Sequence, residues 1–290
     1  MKPPPFEYLD PRTAAEAISL LQQHEGEAKI LAGGQSLMPL LNMRMARPGI
    51  LIDLAKVTEL NYVRAANGGL AIGAMTTKRS IEDSELVQKR QPLLHAATLL
   101  VAHPQIRNRG TLGGSMAHAD PAAEYPAVAI ALDAEFRVLG PRGERSISAR
   151  DFFVTYLTTA LEPAEVLTEV RLPALSERSG WSFIELARRH GDFALAGVAA
   201  TLDLERGGQC SSARIVLFGI GPTALRVEEA EQSLIGERPS ESLFQQAAKK
   251  ASEAIDEPLS DIHASGEYRR HLARVLTRRA LTEAATRARA

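Results

Sequence analysis

Ala32-Gly33-Gly34-Gln35-Ser36-Leu37 closes a short predicted strand, Lys29 to Leu31, and is echoed further along by Thr111-Leu112-Gly113-Gly114-Ser115. Each is a glycine pair beside hydroxyl residues, in a run with no bulky side chain. Glycine tolerates positive φ and admits a ligand close to the main chain, so consecutive backbone N–H groups can point into one concavity. The natural occupant of such a concavity is an anion, most often a phosphate. Two of them could hold the two phosphates of one dinucleotide from opposite sides. Neither loop is G-x-G-x-x-G or G-x-x-x-x-G-K-[ST], which excludes the Rossmann and P-loop readings. Taken singly, each pair also fits an ordinary tight turn; their joint presence favours a nucleotide site.

The composition around these loops is that of an ordinary globular protein. Of 290 residues, 45% are hydrophobic and 24% charged, enough for a real core and a length that suits two domains or one with a large appendage. A net charge of -1 gives no pull toward nucleic acid, polyanions or a membrane surface. The one cysteine, Cys210, excludes an intrachain disulfide and any iron–sulfur cluster held by this chain alone, because such clusters need several thiolates. No run approaches a membrane span and the first residues show no apolar leader, so the expected location is the cytoplasm.

Outward from the first loop, Thr13-Ala14-Ala15-Glu16 has capping-box spacing ahead of Ile18, Leu20 and Leu21, and Gly26 stops that helix. Downstream, Pro48-Gly49 breaks the chain and Ile50 to Leu54 forms a buried strand, so residues 1–57 make one α/β unit around the loop. A second unit, 58–175, opens with a hairpin about Asn67-Gly68-Gly69 and continues through helices over Thr77–Gln88 and Pro92–Ala102. It then holds a polar, glycine-bearing connection from His103 to Pro121. Connections usually run ~4–6 residues, and long structured ones are usually functional. A hairpin about Gly140-Pro141-Arg142-Gly143 and a strand over Glu165–Leu172 complete the unit. Residues 176–290 make a smaller α+β domain of three antiparallel strands, Trp181–Ala187, Ala194–Leu204 and Ala213–Gly219, with helices near Arg226–Ile235, Ser240–Ile255 and Glu267–Arg289. The last helix alternates arginines with Leu272, Val275, Leu276 and Leu281 and is amphipathic.

Three stretches carry a family resemblance: AGGQSLMPLLNMR from Ala32, RNRGTLGGSMAHADPAAEYP from Arg107, and ARRHGDFALAGVA from Ala187. In that order they resemble the FAD-binding medium subunit of molybdenum hydroxylases, the carbon monoxide dehydrogenase medium chain and xanthine dehydrogenase FAD-domain family. The resemblance implies an α+β protein of vanillyl-alcohol-oxidase-like fold, two α/β FAD-binding subdomains followed by the C-terminal α+β domain. It implies FAD held by Ala32, Gly33, Gly34, Gln35, Ser36 and Leu37 at the pyrophosphate, and by Thr111, Gly113, Gly114 and Ser115 at the other flavin-phosphate segment. Asp120 and Glu124 match the acidic residues that follow; a carboxylate accepts ribose hydroxyls well, and Glu124 is the preferred one. Asp120, ahead of Pro121, equally suits a cap. His118 has no partner in sequence and reads as a solvated or structural histidine.

Phe193 stands where the family often has a tyrosine near the isoalloxazine ring. A phenyl ring can pack against flavin but cannot hydrogen-bond. The first loop carries neither histidine nor cysteine, which indicates noncovalent FAD, and Gln35, where carbon monoxide dehydrogenases tend to have histidine, favours an organic substrate for the complex. The implied role is electron transfer, from the iron–sulfur clusters of a small subunit, fed by a large molybdopterin subunit in a heterohexamer of two trimers, to an external acceptor. No catalytic acid or base and no metal ligand set is evident. Two alternatives remain open on the residues alone, an independent flavin oxidase and a non-catalytic nucleotide-binding regulatory protein.

Overall fold

The computed structural model describes residues 2–289. The first unit is a small parallel sheet with β1 (Glu7–Leu9), α1 (Ala14–Gln23), β2 (Ala28–Leu31), α2 (Leu37–Asn42) and β3 (Ile50–Asp53). β3 lies in the middle, parallel to both β1 and β2. The Thr13 hydroxyl caps α1 by accepting the Glu16 amide at 3.1 Å, and Ala14, Ala17, Ile18 and Leu21 form its buried face. Ile50, Leu51 and Ile52 are all buried, as a central parallel strand requires.

The second unit begins with β4 (Val63–Ala66) and β5 (Gly69–Gly73), joined by Asn67 and Gly68 at φ 48° and 80°, the left-handed pair of a type I′ hairpin. There follow α3 (Lys78–Glu82), α4 (Glu85–Arg90), α5 (Pro92–Leu100), α6 (Pro104–Arg107), α7 (Leu112–His118) and α8 (Glu124–Ala131). The unit closes with β6 (Glu135–Gly140), β7 (Gly143–Ser148), α9 (Ala149–Phe152), the small hairpin β8 (Phe153–Thr155) and β9 (Thr158–Thr159), and β10 (Val166–Leu172). Its antiparallel sheet runs β4-β5-β10-β6-β7. Every residue of α8 is buried, Glu124 included, so this helix is the interior rod of the unit rather than an amphipathic surface helix.

The third unit is β11 (Ser179–Ala187), β12 (Ala194–Leu204), β13 (Cys210–Phe218) and β14 (Leu225–Arg226), then α10 (Glu228–Gln232), α11 (Glu241–Glu253) and α12 (Gly266–Arg289). One face of its antiparallel sheet, with Phe183, Ala199, Val216 and Phe218, joins the core around α8. The other, with Val198, Ala200, Ile215 and Leu217, is covered by α11 and α12. Arg269, 2% exposed, fixes the start of α12 by donating to the carbonyls of Leu195 (2.5 Å) and Gly219 (2.8 Å) and to Asp261 (2.7 Å). A backbone hydrogen bond from the Gly219 amide to the Pro121 carbonyl (2.9 Å) ties this unit to the segment before α8.

Four details differ from the sequence expectation. The helix expected over Thr77–Gln88 is two helices, because the Ser84 hydroxyl accepts the Val87 amide and starts α4 afresh. The expected loop from His103 to Pro121 contains α6 and α7, so the second glycine pair sits in the first turn of a helix. A fourth strand, β14, extends the C-terminal sheet, and the helix expected over Arg226–Ile235 shrinks to α10. Gly180 shows how tightly α12 lies on β11: a Cβ there would overlap the Ala284 carbonyl oxygen, whereas one at Gly221 meets nothing within 4 Å. Gly180→Ala is expected to lower stability by about 1–3 kcal/mol, the range for overpacking, and Gly221→Ala to leave it nearly unchanged; thermal unfolding of the two variants checks this.

Candidate functional site

The first glycine segment leaves the C-terminal end of β2, where open α/β sheets present ligand-binding loops. Gly34 turns the chain at φ 72°, and the Gln35 side-chain amide donates to the Gly33 carbonyl at 2.9 Å, bracing the turn from within. Among the described residues, the backbone amides of Gly34, Gln35, Ser36 and Leu37 donate to no other group of the chain. Ser36, in the N-cap position of α2, makes no capping bond with its hydroxyl. Four unengaged amides and a free hydroxyl in a half-buried turn are the donor set a pyrophosphate takes.

The second segment is built differently. Its amides are spent inside the protein: Leu112 on the Thr76 carbonyl (2.9 Å), Gly113 on Ala74 (2.8 Å), Gly114 on the Thr111 hydroxyl (3.1 Å) and Ser115 on the Thr111 carbonyl (3.2 Å). Its glycines serve close packing. A Cβ on Gly113 would lie 2.5 Å from the Ala74 Cβ, and one on Gly114 3.3 Å from the Ala32 Cβ. The expectation of two matching amide cradles therefore gives way to one cradle and one smooth wall, and the two meet. A Cβ on Gly33 would overlap the Arg109 carbonyl oxygen and stand 2.7 Å from the Gly110 Cα. The wall contributes the Ser115 hydroxyl, which receives the Lys78 ammonium at 3.4 Å.

Lys78 is a residue the sequence did not single out. It is only 9% exposed, its ammonium stands 5.0 Å from the centre of the Tyr125 ring, and burial lowers its pKa. No sequence signal marks it, since a lysine after the helix-capping Thr77 ordinarily faces water. Glu124, in the first turn of α8, is 6% exposed, and burial raises its carboxyl pKa against the opposing pull of its own amide and of Lys78. Asp120 accepts the Ala122 amide at 2.9 Å and shapes the turn before α8, as a turn-capping residue does. His118 is half-buried and its charged form is disfavoured by burial.

Phe193 lies in the 188–193 loop and is 60% exposed. That loop leans on the chain that leads to the second glycine segment: Gly191, φ 87°, packs against the His103 ring, and the His103 and His190 rings stack with centroids 6.4 Å apart. The structure thus unites Ala32 to Leu37, Thr111 to Ser115 and Lys78 in one place, with Glu124 buried beneath and Phe193 on the neighbouring surface. Among the described residues no three His, Cys, Asp or Glu side chains converge as a metal site.

Residues 4–175 match the family model of the FAD binding domain in molybdopterin dehydrogenase, and residues 181–284 that of the CO dehydrogenase flavoprotein C-terminal domain. The chain is 43% identical to the 6-hydroxypseudooxynicotine dehydrogenase complex subunit alpha of Paenarthrobacter nicotinovorans, covering 100% of this chain and 97% of that one. It is 41% identical to the carbon monoxide dehydrogenase medium chain of Hydrogenophaga pseudoflava, covering 98% of each. The structure of carbon monoxide dehydrogenase from Hydrogenophaga pseudoflava superposes with a TM-score of 0.96 over 99% of both chains at 42% identity. Quinoline 2-oxidoreductase from Pseudomonas putida 86 gives 0.95 over 99% of both at 41% identity. Fold and donor set together define a flavoprotein, an oxidoreductase chain whose cofactor is FAD. More narrowly, the chain belongs to the family of FAD-binding medium subunits of molybdenum hydroxylases.

The contact between the two glycine segments yields a direct test. Gly33→Ala drives a methyl group into the Arg109 carbonyl and parts cradle from wall. FAD affinity is expected to fall by at least about tenfold, equivalent to losing one charge-assisted hydrogen bond, while the far-ultraviolet circular dichroism stays that of the parent.

Proposed function

We propose that this chain is the FAD-carrying electron-transfer subunit of a molybdenum-containing hydroxylase, joined to a small iron–sulfur subunit and a large molybdopterin subunit in a heterohexamer of two trimers. The observation that carries the reading is the bank of unengaged amides from Gly34 to Leu37, set against the Gly113–Ser115 wall in a chain of medium-subunit length and fold. Noncovalent FAD, when bound, supplies the exchange of electrons between iron–sulfur clusters and an external acceptor. The chain's own residues bind and orient it. The amides and Ser36 hydroxyl of the cradle, with Ala32 and Gly33 forming its floor, would hold the pyrophosphate, and Thr111, Gly113, Gly114 and Ser115 would form its opposite side.

Glu124 would accept hydroxyls from the adenosine half, with Asp120 setting the turn that delivers it, and Phe193 would close the ring side with an apolar face. The single cysteine, Cys210, is buried, so clusters feeding the site must belong to another chain. The functional units are 1–57 and 58–175 for FAD and 176–290 for the C-terminal domain, and a cytoplasmic location is part of the same proposal. Among the described residues no helix is long and apolar enough to cross a membrane.

Two measurements test the proposal. Glu124→Gln should weaken FAD binding by roughly 1.5–3 kcal/mol and leave riboflavin, which lacks the adenosine half, unaffected; equal losses for both ligands would remove Glu124 from the adenosine side. Expressed alone, the chain should bind FAD and turn over organic substrates poorly, and co-expressed with its genomic neighbours it should co-purify with iron–sulfur and molybdenum subunits. Rapid substrate oxidation by the isolated, metal-free chain would favour an independent flavin oxidase instead.

A further inference from the structure

Lys78 is buried without a partner for its charge, and it is held at the junction of cradle and wall. Thr77 caps α3, and the Lys78 amide donates to the Gly110 carbonyl at 2.8 Å. From there the stem runs over Gly110. A Cβ on Gly110 would lie 3.5 Å from the Lys78 Cδ and 3.5 Å from the Gln35 Cγ, so the lysine stem and the side chain that braces the cradle flank the same point. At its far end the ammonium stands 3.4 Å from the Ser115 Oγ and over the face of the Tyr125 ring. Among the described residues it forms no ion pair; Glu82, one helical turn further on, is paired with Arg79 and Arg107 instead. An ammonium carries three donors. Burying it with most of them unused is unfavourable, and a nearby anion relieves the penalty.

Ser115 is the other half of the observation. It lies inside α7, half-buried, with its amide spent on the Thr111 carbonyl. A hydroxyl inside a helix commonly donates back to the carbonyl one turn earlier. In this protein Thr98 does so to Leu94 (2.8 Å), Thr282 to Arg278 (2.9 Å) and Thr286 to Thr282 (2.9 Å). Ser115 does not: among the described residues its hydroxyl donates to no group of the chain and its one bond is the one received from Lys78. A hydroxyl has one hydrogen and two lone pairs, and an ammonium can only donate. With Lys78 on one lone pair, the Ser115 hydrogen points away from the lysine. The wall that bears it faces the first glycine segment, since a Cβ on the adjoining Gly114 would stand 3.3 Å from the Ala32 Cβ.

We propose that Lys78 is a positioning residue of the FAD site: from behind the wall its ammonium holds the Ser115 oxygen, turning the Ser115 hydrogen toward the FAD pyrophosphate and strengthening it as a donor. This rests on the FAD reading above, in which the wall forms the side of the pyrophosphate opposite the cradle. Fixing the hydroxyl before the anion arrives leaves less to order on binding, and a donor polarised by a cation makes a stronger bond. The lysine needs no contact with the phosphates to do this, so its burial is part of the device. Burial is the largest influence on Lys78 and lowers its pKa; the negative charge of a bound pyrophosphate acts the other way and holds the ammonium in its charged form.

The test uses the full chain, stripped of FAD and re-titrated by quenching of flavin fluorescence. Lys78→Met keeps the stem and removes the charge; it is expected to weaken FAD binding about tenfold, and Ser115→Ala by about as much. The two combined should weaken it little more than either alone, because both remove the same bond. Riboflavin, which lacks the pyrophosphate, should bind all three variants like the parent. In the phosphorus NMR spectrum of bound FAD, the resonance displaced by Ser115→Ala should be displaced by Lys78→Met as well, a readout that lost packing alone does not move. Should Lys78→Met fail to fold, Lys78→Gln takes its place with the same expectations. A charge-free variant that binds FAD as tightly as the parent, equal losses for FAD and riboflavin, or losses from the lysine and serine variants that simply add, overturns this inference and leaves the FAD reading intact. A parent that takes up no FAD at all overturns the FAD reading, and this inference with it.

Discussion

The joint between the parallel and antiparallel units depends on a backbone contact that leaves no room for a side chain. Gly33 of the parallel unit rests directly on the Arg109 carbonyl and the Gly110 Cα of the antiparallel unit, and Gly114 returns the contact against Ala32. The partner segment cannot yield, because Arg107 anchors it to Glu82 and to the Val101 carbonyl (3.0 Å), while the Gly110 carbonyl accepts the Lys78 amide at 2.8 Å. Two sheets of different construction are thereby joined at one point, with the unengaged amides of Gly34 to Leu37 beside the join. Rigid placement of donors before the anion arrives is what makes such a cradle effective, since little ordering is left to oppose binding.

Much of this was legible in the sequence, for identifiable reasons. Helix α1, the hairpin at Asn67-Gly68 and the strand Ile50–Asp53 obey local rules of capping, turn chemistry and continuous burial, and each formed where expected. The resemblance carried by three long motifs supplied the fold and the cofactor class, which local rules could not. What stayed hidden was tertiary. Gly113 and Gly114 look like a second open loop in sequence, but whether an amide is free depends on whether Thr76, Ala74 and Thr111 are in reach, and those contacts arise only from the packing of α7 on β5 and its following turn. Lys78 was invisible for the same reason: a charged residue at a helix start is ordinarily a solvated one, and only the packing of α8, whose Tyr125 ring centre lies 5.0 Å from its ammonium, buries it.

Helix α8 binds the C-terminal domain to the second unit, so that domain is not a loose appendage. All of its residues are buried, against α5 and α7 on one side and β12 and β13 on the other. Its first turn carries Glu124, the segment before it is held by the Gly219–Pro121 backbone bond, and beyond its end Asp133 accepts Arg214 (2.8 Å) and Arg226 (3.0 Å) from the third unit. The helix is thus gripped at both ends by the C-terminal sheet, so the depth of Glu124 is set by a domain distant in sequence from both glycine segments.

That arrangement also separates two tasks that one loop could not perform together. Unengaged amide donors must stay open to water in the absence of a ligand, as those of the half-buried Gly34–Leu37 turn do. A group that selects by a single carboxylate needs a low dielectric, where one charge or one proton matters most. Putting the amides on the parallel unit and the buried Lys78 and Glu124 on the second lets each environment be set independently. The smooth Thr111–Ser115 wall, with its own amides already satisfied, is the partition between them: it touches the cradle through Gly114 and Ala32 and the buried pair through Ser115 and Lys78.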